Sequence, residues 1–393
     1  MILRTVPLLA RAAALLAGAN PALLVNLHSG WVPDSIFETS LTMIAASNVM
    51  YSDANLRLYV RQVPFIHSNS SSSTDEEVKN LRREILRNAP MSSTEHFRLM
   101  NRMAQISPPA ARADHTRAFE FFKGKSWLGD DKSGVLYYCG DSNADRIDSC
   151  VYSLLINRTK KRITLVFRGT EVGSNVIAQM KTNFDAMMRW EENRNDEMLD
   201  TIPAYSVHSG FSRALMGRRR KIILKIAEMR EAYPETKNYP LFVTGHSLGG
   251  ALATLFGVYA ATYPEITAAG PVQLYTFGAP SVGGKQFGTV FKYLEETNRI
   301  RCARLFNRYD PVPKGFDGIE ALEHVGKGIQ FSEQEWVSHN NTSGNMIQTL
   351  AMMTKNFNKL WDSHTLDRVY DNVENNEESL KITLDELYAR DRK

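Results

Sequence analysis

With 393 residues and 43% apolar side chains, the chain can build one large α/β domain with an extension, or two modest domains. Its 47 basic and 43 acidic residues leave a formal net charge of +4, too mild for this length to imply a nucleic-acid partner. Three cysteines, an odd and low count, exclude a disulfide framework; Cys139 and Cys150 flank a polar loop and either pair across a hairpin or stay as thiols, the latter favoured.

The first nineteen residues carry Arg4 and Arg11, an apolar stretch over 12–19 and a small-x-small site at Ala17-Gly18-Ala19, with no acid before Asp34. Three readings stay open: a secretory signal, which is favoured, an organelle transit peptide, or a plain amphipathic helix. Location follows as secretory first, otherwise organelle or cytoplasmic. Arg11, Asn20 and Pro21 interrupt any run near the ~20 apolar residues that a membrane span needs, and no later segment does better. Sites for N-glycosylation at Asn69, Asn157, Asn340 and Asn341 matter only if the chain is secreted.

Residues 1–110 read as a mostly helical extension closed by Pro108-Pro109. Within it, the serine-rich stretch 68–73 reads as a surface loop, and Thr74 with Glu77 caps a helix over 75–87. From 111 to 393 the pattern changes. Strands are expected over 134–139, 150–156 and 162–168, the last two joined by a turn at 157–160. A polar, Met-rich segment spans 171–204. Strands at 241–244, 272–277 and 300–306 then alternate with helices at 211–231, 248–261 and 285–297. That alternation predicts an α/β fold with a mostly parallel central sheet and helices on both faces. The acidic tail over 372–386 reads as a surface helix. The basic run Arg218-Arg219-Arg220-Lys221 reads as a solvated helix face, with contact to an anionic membrane surface as the sharper alternative.

Gly245-His246-Ser247-Leu248-Gly249 is a G-x-S-x-G motif with an apolar strand running in and a helix running out. This is the setting in which a serine is held on a sharp turn with its hydroxyl presented. A Cβ at either glycine would crowd the neighbouring backbone. The helix N-terminus behind Ser247 favours developing negative charge. An oxyanion hole would draw on the Leu248 N–H and on Thr170, at the end of the earlier strand Val166-Phe167-Arg168-Gly169-Thr170. A serine nucleophile needs a histidine base and a buried carboxylate. Asp310 follows the strand at 300–306, where the site residues of open α/β sheets gather, and Pro311 and Pro313 stiffen its loop. Three histidines lie beyond it: His324, His339 and His364.

Five segments together resemble the class 3 lipase family: Phe167-Arg168-Gly169-Thr170, Val207-His208-Ser209-Gly210-Phe211, Gly245 to Ala253, Thr276-Phe277-Gly278-Ala279-Pro280 and Asn307-Arg308-Tyr309-Asp310-Pro311-Val312-Pro313. They fall in order over about 135–370; the first ~110 residues match nothing in that family. The resemblance implies an α/β-hydrolase fold, a Ser247–Asp310–His364 triad, no metal and no cofactor. It also implies a mobile lid over 171–204 and lipid-ester substrates met at a lipid or membrane surface. His364 is the favoured base, although Ser363 separates it from Asp362 and Tyr370 comes later than the family's pattern has it; His324 is the alternative. Phe184, Trp190 and His246 are the candidate substrate contacts; Val176, Ile177, Met180, Phe184, Met187 and Met188 form an interrupted apolar face with Trp190 just off it, and the alternative is that this segment only covers core. His208 is expected to pack or to shape the pocket. The rival readings are an inactive lipase-like binding module, an esterase for soluble esters, and a peptidase on the same fold. Oligomeric state is left open.

Overall fold

The computed structural model describes residues 31–62, 134–139, 150–170, 190–193, 205–314, 322–332, 335–339 and 362–390, with scattered positions between 80 and 102. The possible leader, the serine-rich stretch, the glycosylation sites Asn69, Asn340 and Asn341, and Phe184 with most of the 171–204 segment lie outside these residues.

Helix α1 (Ile36–Gln62) comes first, then strands β1 (Met91–Ser92), β2 (Gly134–Cys139), β3 (Tyr152–Asn157) and β4 (Arg162–Phe167). After β5 (Trp190–Asn193) and β6 (Tyr205–His208) comes helix α2 (Ser209–Ala232). The second half alternates β7 (Leu241–His246), α3 (Leu248–Ala261), α4 (Pro264–Thr267), β8 (Val272–Phe277), α5 (Lys285–Glu296), β9 (Ile300–Asn307) and α6 (Pro311–Lys314). It ends with β10 (Lys327–Phe331), β11 (Trp336–His339), α7 (Leu366–Asn375), α8 (Glu377–Leu380) and α9 (Leu384–Arg390).

Among the described residues nine strands form one sheet in the order β1-β2-β3-β4-β7-β8-β9-β10-β11. Its centre is parallel, β4 to β7 to β8 to β9 to β10, and antiparallel strands flank it on both sides. This is the mostly parallel sheet that the alternation of elements predicts, in the α/β-hydrolase arrangement that the resemblance implies. β5 and β6 pair separately.

The central strands are buried along their whole length, because helices cover both faces. Period-two alternation sends Leu241, Val243, Val272, Leu274, Ile300 and Cys302 to one face, against α2, α3 and α5. Phe242, Tyr275, Phe277, Ala303 and Leu305 go to the other, where they meet α1, α7 and α9.

A boundary near residue 110 does not divide this packing. Ile36, Leu41, Met43 and Ile44 of α1 share the second core cluster with the central strands and with Val369, Leu384 and Leu387. The segment before α1 is pinned too. Asp34 takes Lys160 Nζ at 2.8 Å and Arg162 Nη1 at 3.4 Å, and the Ile36 N–H donates to Ile382 O at 2.7 Å. Arg162 is wholly buried and lies over the Phe242 ring, so the Asp34 charge offsets part of its desolvation.

A further expectation is corrected, and the favoured reading of free thiols is met at Cys150. The acidic tail is three short helices, not one surface helix. Its acids face outward, but Val373, Leu380, Leu384 and Leu387 are buried, and Asp385 pairs with Arg301 at 3.0 Å. Cys150 is a free, fully buried thiol, so the hairpin disulfide is not formed; burial pushes its pKa up to about 12. Across that hairpin Cys139 faces Tyr152.

The docking of α1 has a measurable consequence. Ile44→Ala should lower the unfolding free energy by about 2–5 kcal/mol, the usual cost of a large-to-small change in a closed core. Chemical denaturation reads it, and a loss near zero would mean that α1 does not form part of the core.

Candidate active site

Ser247 sits between β7 and α3 with φ 55° and ψ −125°, a left-handed conformation rare for a residue with a side chain. Hydrogen bonds hold the turn. The Ser247 N–H donates to Phe277 O at 2.9 Å, and the N–H groups of Gly250 and Ala251 donate to Ser247 O. The two motif glycines are required by close approach. A Cβ on Gly245 would lie 2.3 Å from the Gly249 carbonyl carbon, and one on Gly249 would lie 2.3 Å from Phe167 O. The first turn of α3 therefore rests directly on the ends of β7 and β4. The end of β4 runs on into Arg168, Gly169 and Thr170, where a Cβ on Gly169 would lie 2.6 Å from His246 O. Thr170 is half-buried there.

Asp310 and His364 meet beside this turn. Asp310 follows β9, and its carboxylate accepts from His364 Nδ1 at 2.9 and 3.0 Å. A carboxylate can only accept, so the proton is on Nδ1 and the lone pair of the neutral ring is on Nε2. The Val312 N–H donates to Asp310 Oδ1 at 2.9 Å. Complete burial pushes the Asp310 carboxyl above its ordinary pKa, while His364, the Val312 N–H and Lys314 oppose that shift. Gly278, at φ +55°, makes room for the pair: a Cβ there would lie 2.7 Å from Asp310 Oδ2 and 3.0 Å from the His364 ring.

His364 itself lies in a turn before α7. Asn307 Nδ2 donates to Ser363 O at 2.6 Å, and Asn372 Nδ2 donates back to Asn307 Oδ1. The end of β9 thus anchors the acid's loop and the histidine's turn together. The extra Ser363, which loosens the family pattern, supplies the carbonyl that is held.

The other histidines separate by their partners. His324 is buried, with Nε2 2.7 Å from Pro313 O. Burial, and then nearby Arg304, pushes its pKa down to about 3. It ties the 322–326 loop to α6, whereas the imidazole bonded to the Asp310 carboxylate is that of His364. His208 caps α2, its Nδ1 accepting from the Gly210 and Phe211 N–H groups at 3.2 and 3.4 Å. That cap is why α2 starts at Ser209, ahead of the expected 211.

His246 is held through both ring nitrogens: Nδ1 bonds the Tyr51 hydroxyl at 2.9 Å, and Nε2 bonds His364 O at 2.7 Å. Tyr51 is a site residue that the motifs do not reveal, since it sits 195 positions upstream on α1. Trp190 opens β5, opposite His208 in the β5–β6 ribbon. Among the described residues, no group of three His, Cys, Asp or Glu side chains could hold a metal ion.

A left-handed serine between a parallel strand and a helix, with a buried carboxylate–imidazole pair beside it, is the arrangement in which α/β hydrolases hold a serine nucleophile. Residues 164–317 match the model of the family described as lipase (class 3). Lipase A of Sodiomyces alcalophilus is 30% identical over 169 residues, 39% of this chain and 39% of that protein. Secreted mono- and diacylglycerol lipase 1 of Fusarium solani is 27% identical over 185 residues, 46% of this chain and 52% of its own length. The matched segments thus span roughly two fifths to a half of these relatives. Among solved structures, lipase II from Rhizopus niveus is 20% identical with a TM-score of 0.44, over 67% of this chain and 96% of that one.

The neutral burial of His324 sets a pH response. Its folded pKa of about 3 lies below the ordinary 6.5, so the unfolded chain binds a proton that the fold excludes. Its contribution to stability is present above 6.5 and is lost as pH falls toward 3, by at most about 1.4 kcal/mol per pH unit. His324→Gln keeps an N–H for Pro313 O but removes the titration. Unfolding curves between pH 6.5 and 4.5 should fall less steeply in that variant, and equal slopes would contradict this account of His324.

Proposed function

We propose that the chain hydrolyses carboxylic esters of lipids through an acyl-enzyme on Ser247. The observation that carries this reading is the left-handed Ser247 beside the buried Asp310–His364 pair. In the proposed reaction, Ser247 Oγ attacks the ester carbonyl carbon and His364 Nε2 takes its proton. Asp310 accepts the Nδ1–H bond, fixing the tautomer and stabilising the imidazolium that forms. The tetrahedral oxyanion is held by the Leu248 N–H and by Thr170, through its N–H and hydroxyl. The tetrahedral intermediate collapses, the C–O bond to the alcohol breaks, and the imidazolium gives its proton to the departing oxygen. Water then repeats the sequence on the acyl-enzyme, and the carboxylate leaves. None of these steps calls for a metal or a cofactor.

The substrate class rests on family and sequence pattern. The relatives matched here are named as lipases, one of them for mono- and diacylglycerol. The apolar positions Val176, Ile177, Met180, Phe184, Met187 and Met188 recur at helical spacing, and Trp190 follows. We take this segment as a lid that covers Ser247 in water and meets a lipid surface when open, because an interface lowers the cost of exposing apolar side chains.

One kinetic series tests both parts. On a soluble chromogenic ester, Ser247→Ala should remove turnover, and Thr170→Val should raise the barrier by about 2–4 kcal/mol while Thr170→Ser changes little. Undiminished turnover in Ser247→Ala sinks the nucleophile. On a short-chain glyceride, the wild-type rate should jump at the solubility limit, and Phe184→Ser with Trp190→Ser should weaken emulsion activity more than activity on dissolved ester. A smooth rise with equal losses would make the segment core cover and the enzyme a plain esterase.

A further inference from the structure

The base has a second anchor, on the N-terminal helix. His364 O is an acceptor only, so His246 Nε2 must carry the proton of that 2.7 Å bond. In the neutral ring this leaves a lone pair on Nδ1, and the Tyr51 hydroxyl at 2.9 Å must donate to it. Burial, and then the neighbouring His364, pushes the His246 pKa down to about 3, which agrees with a ring held neutral. The two imidazoles lie 4.6 Å apart between centroids and 35° from parallel. A charged His246 would face the imidazolium that forms on His364.

The hydroxyl end of Tyr51 is itself seated. A Cβ on Gly169 would lie 2.0 Å from the Tyr51 oxygen and 2.6 Å from His246 O. The missing side chain at Gly169 is therefore the slot that admits Tyr51, at the same strand end that carries Thr170. One hydroxyl from α1 thus meets both the oxyanion side and the base side of Ser247.

We propose that Tyr51 and His246 form a positioning relay, in which the Tyr51 hydroxyl fixes the His246 tautomer and His246 holds the main chain of His364 in line with Asp310 and Ser247. The relay rests on the reading of His364 as the base. Tyr51 and His246 are positioning residues; neither exchanges a proton with substrate. The arrangement makes α1 part of the working enzyme, although it lies more than a hundred residues before the first family motif.

A double-mutant cycle on the full chain tests it, with turnover of p-nitrophenyl butyrate as the readout. Tyr51→Phe should lower kcat about 10- to 100-fold, the scale of an ångström-sized misplacement, and leave KM within about twofold. His246→Leu should cost at least as much, and His246→Gln, which keeps a donor and an acceptor, should recover part of the loss. Because Tyr51 acts through His246, Tyr51→Phe should cost almost nothing further in the His246→Leu background. Equal costs in both backgrounds, or a loss confined to KM, would overturn the relay and leave Tyr51 as packing. Nitrogen-15 spectra of the histidines read the same relay without turnover: His246 should be the neutral Nε2–H tautomer in wild type. A proton on Nδ1 overturns the relay whatever the activity. Wild type with that tautomer but no esterase activity would sink the hydrolase reading and leave the hydrogen-bonded relay standing.

Discussion

The structure turns on one close approach: the first turn of α3 lies on the ends of β7 and β4 with no room for a side chain at Gly245 or Gly249. Everything at the site is referred to that contact. It forces Ser247 into a left-handed turn, aims the α3 N-terminus at the serine, and seats Gly249 against the end of β4 at Phe167 and Arg168. Strain at Ser247, of order 1–3 kcal/mol, is sustained because β7 and most of α3 around it are buried.

The histidine side of the site is built from parts far apart in sequence. Asn307, Ser363 and Asn372 hold the His364 turn against β9, Asp310 orients the ring, and His246 takes the backbone carbonyl. Each bond is ordinary, worth about 1 kcal/mol in stability. Their combined effect is geometric: they fix where Nε2 lies. On the proposed reading of His364 as the base, a misplacement by an ångström loses far more rate than such bonds contribute to stability.

How much of this was legible in the sequence depended on range. The elbow was legible because strand, turn and helix are contiguous, and helix 248–261 and strand 272–277 came out at their expected bounds. Asp310 and His364 were readable through chain order and motif resemblance, and the 2.9 Å bond between them agrees. The docking of α1 was not readable. Positions 36 and 39–47 are buried almost without interruption, so the helix shows no polar face from which its partner could be inferred. The bond from His246 to Tyr51 was not readable either, because Tyr51 lies in no motif. The acidic tail misled because charge dominates its composition, while widely spaced leucines decide its packing.

The central claim is that the elbow serine is the group that becomes acylated. The most direct measurement is intact-mass and peptide mapping of wild-type protein after a fluorophosphonate probe. The account expects one adduct per chain, on Ser247, formed by folded protein and suppressed by prior denaturation. A folded protein that takes no adduct, or takes it on another residue, would contradict it.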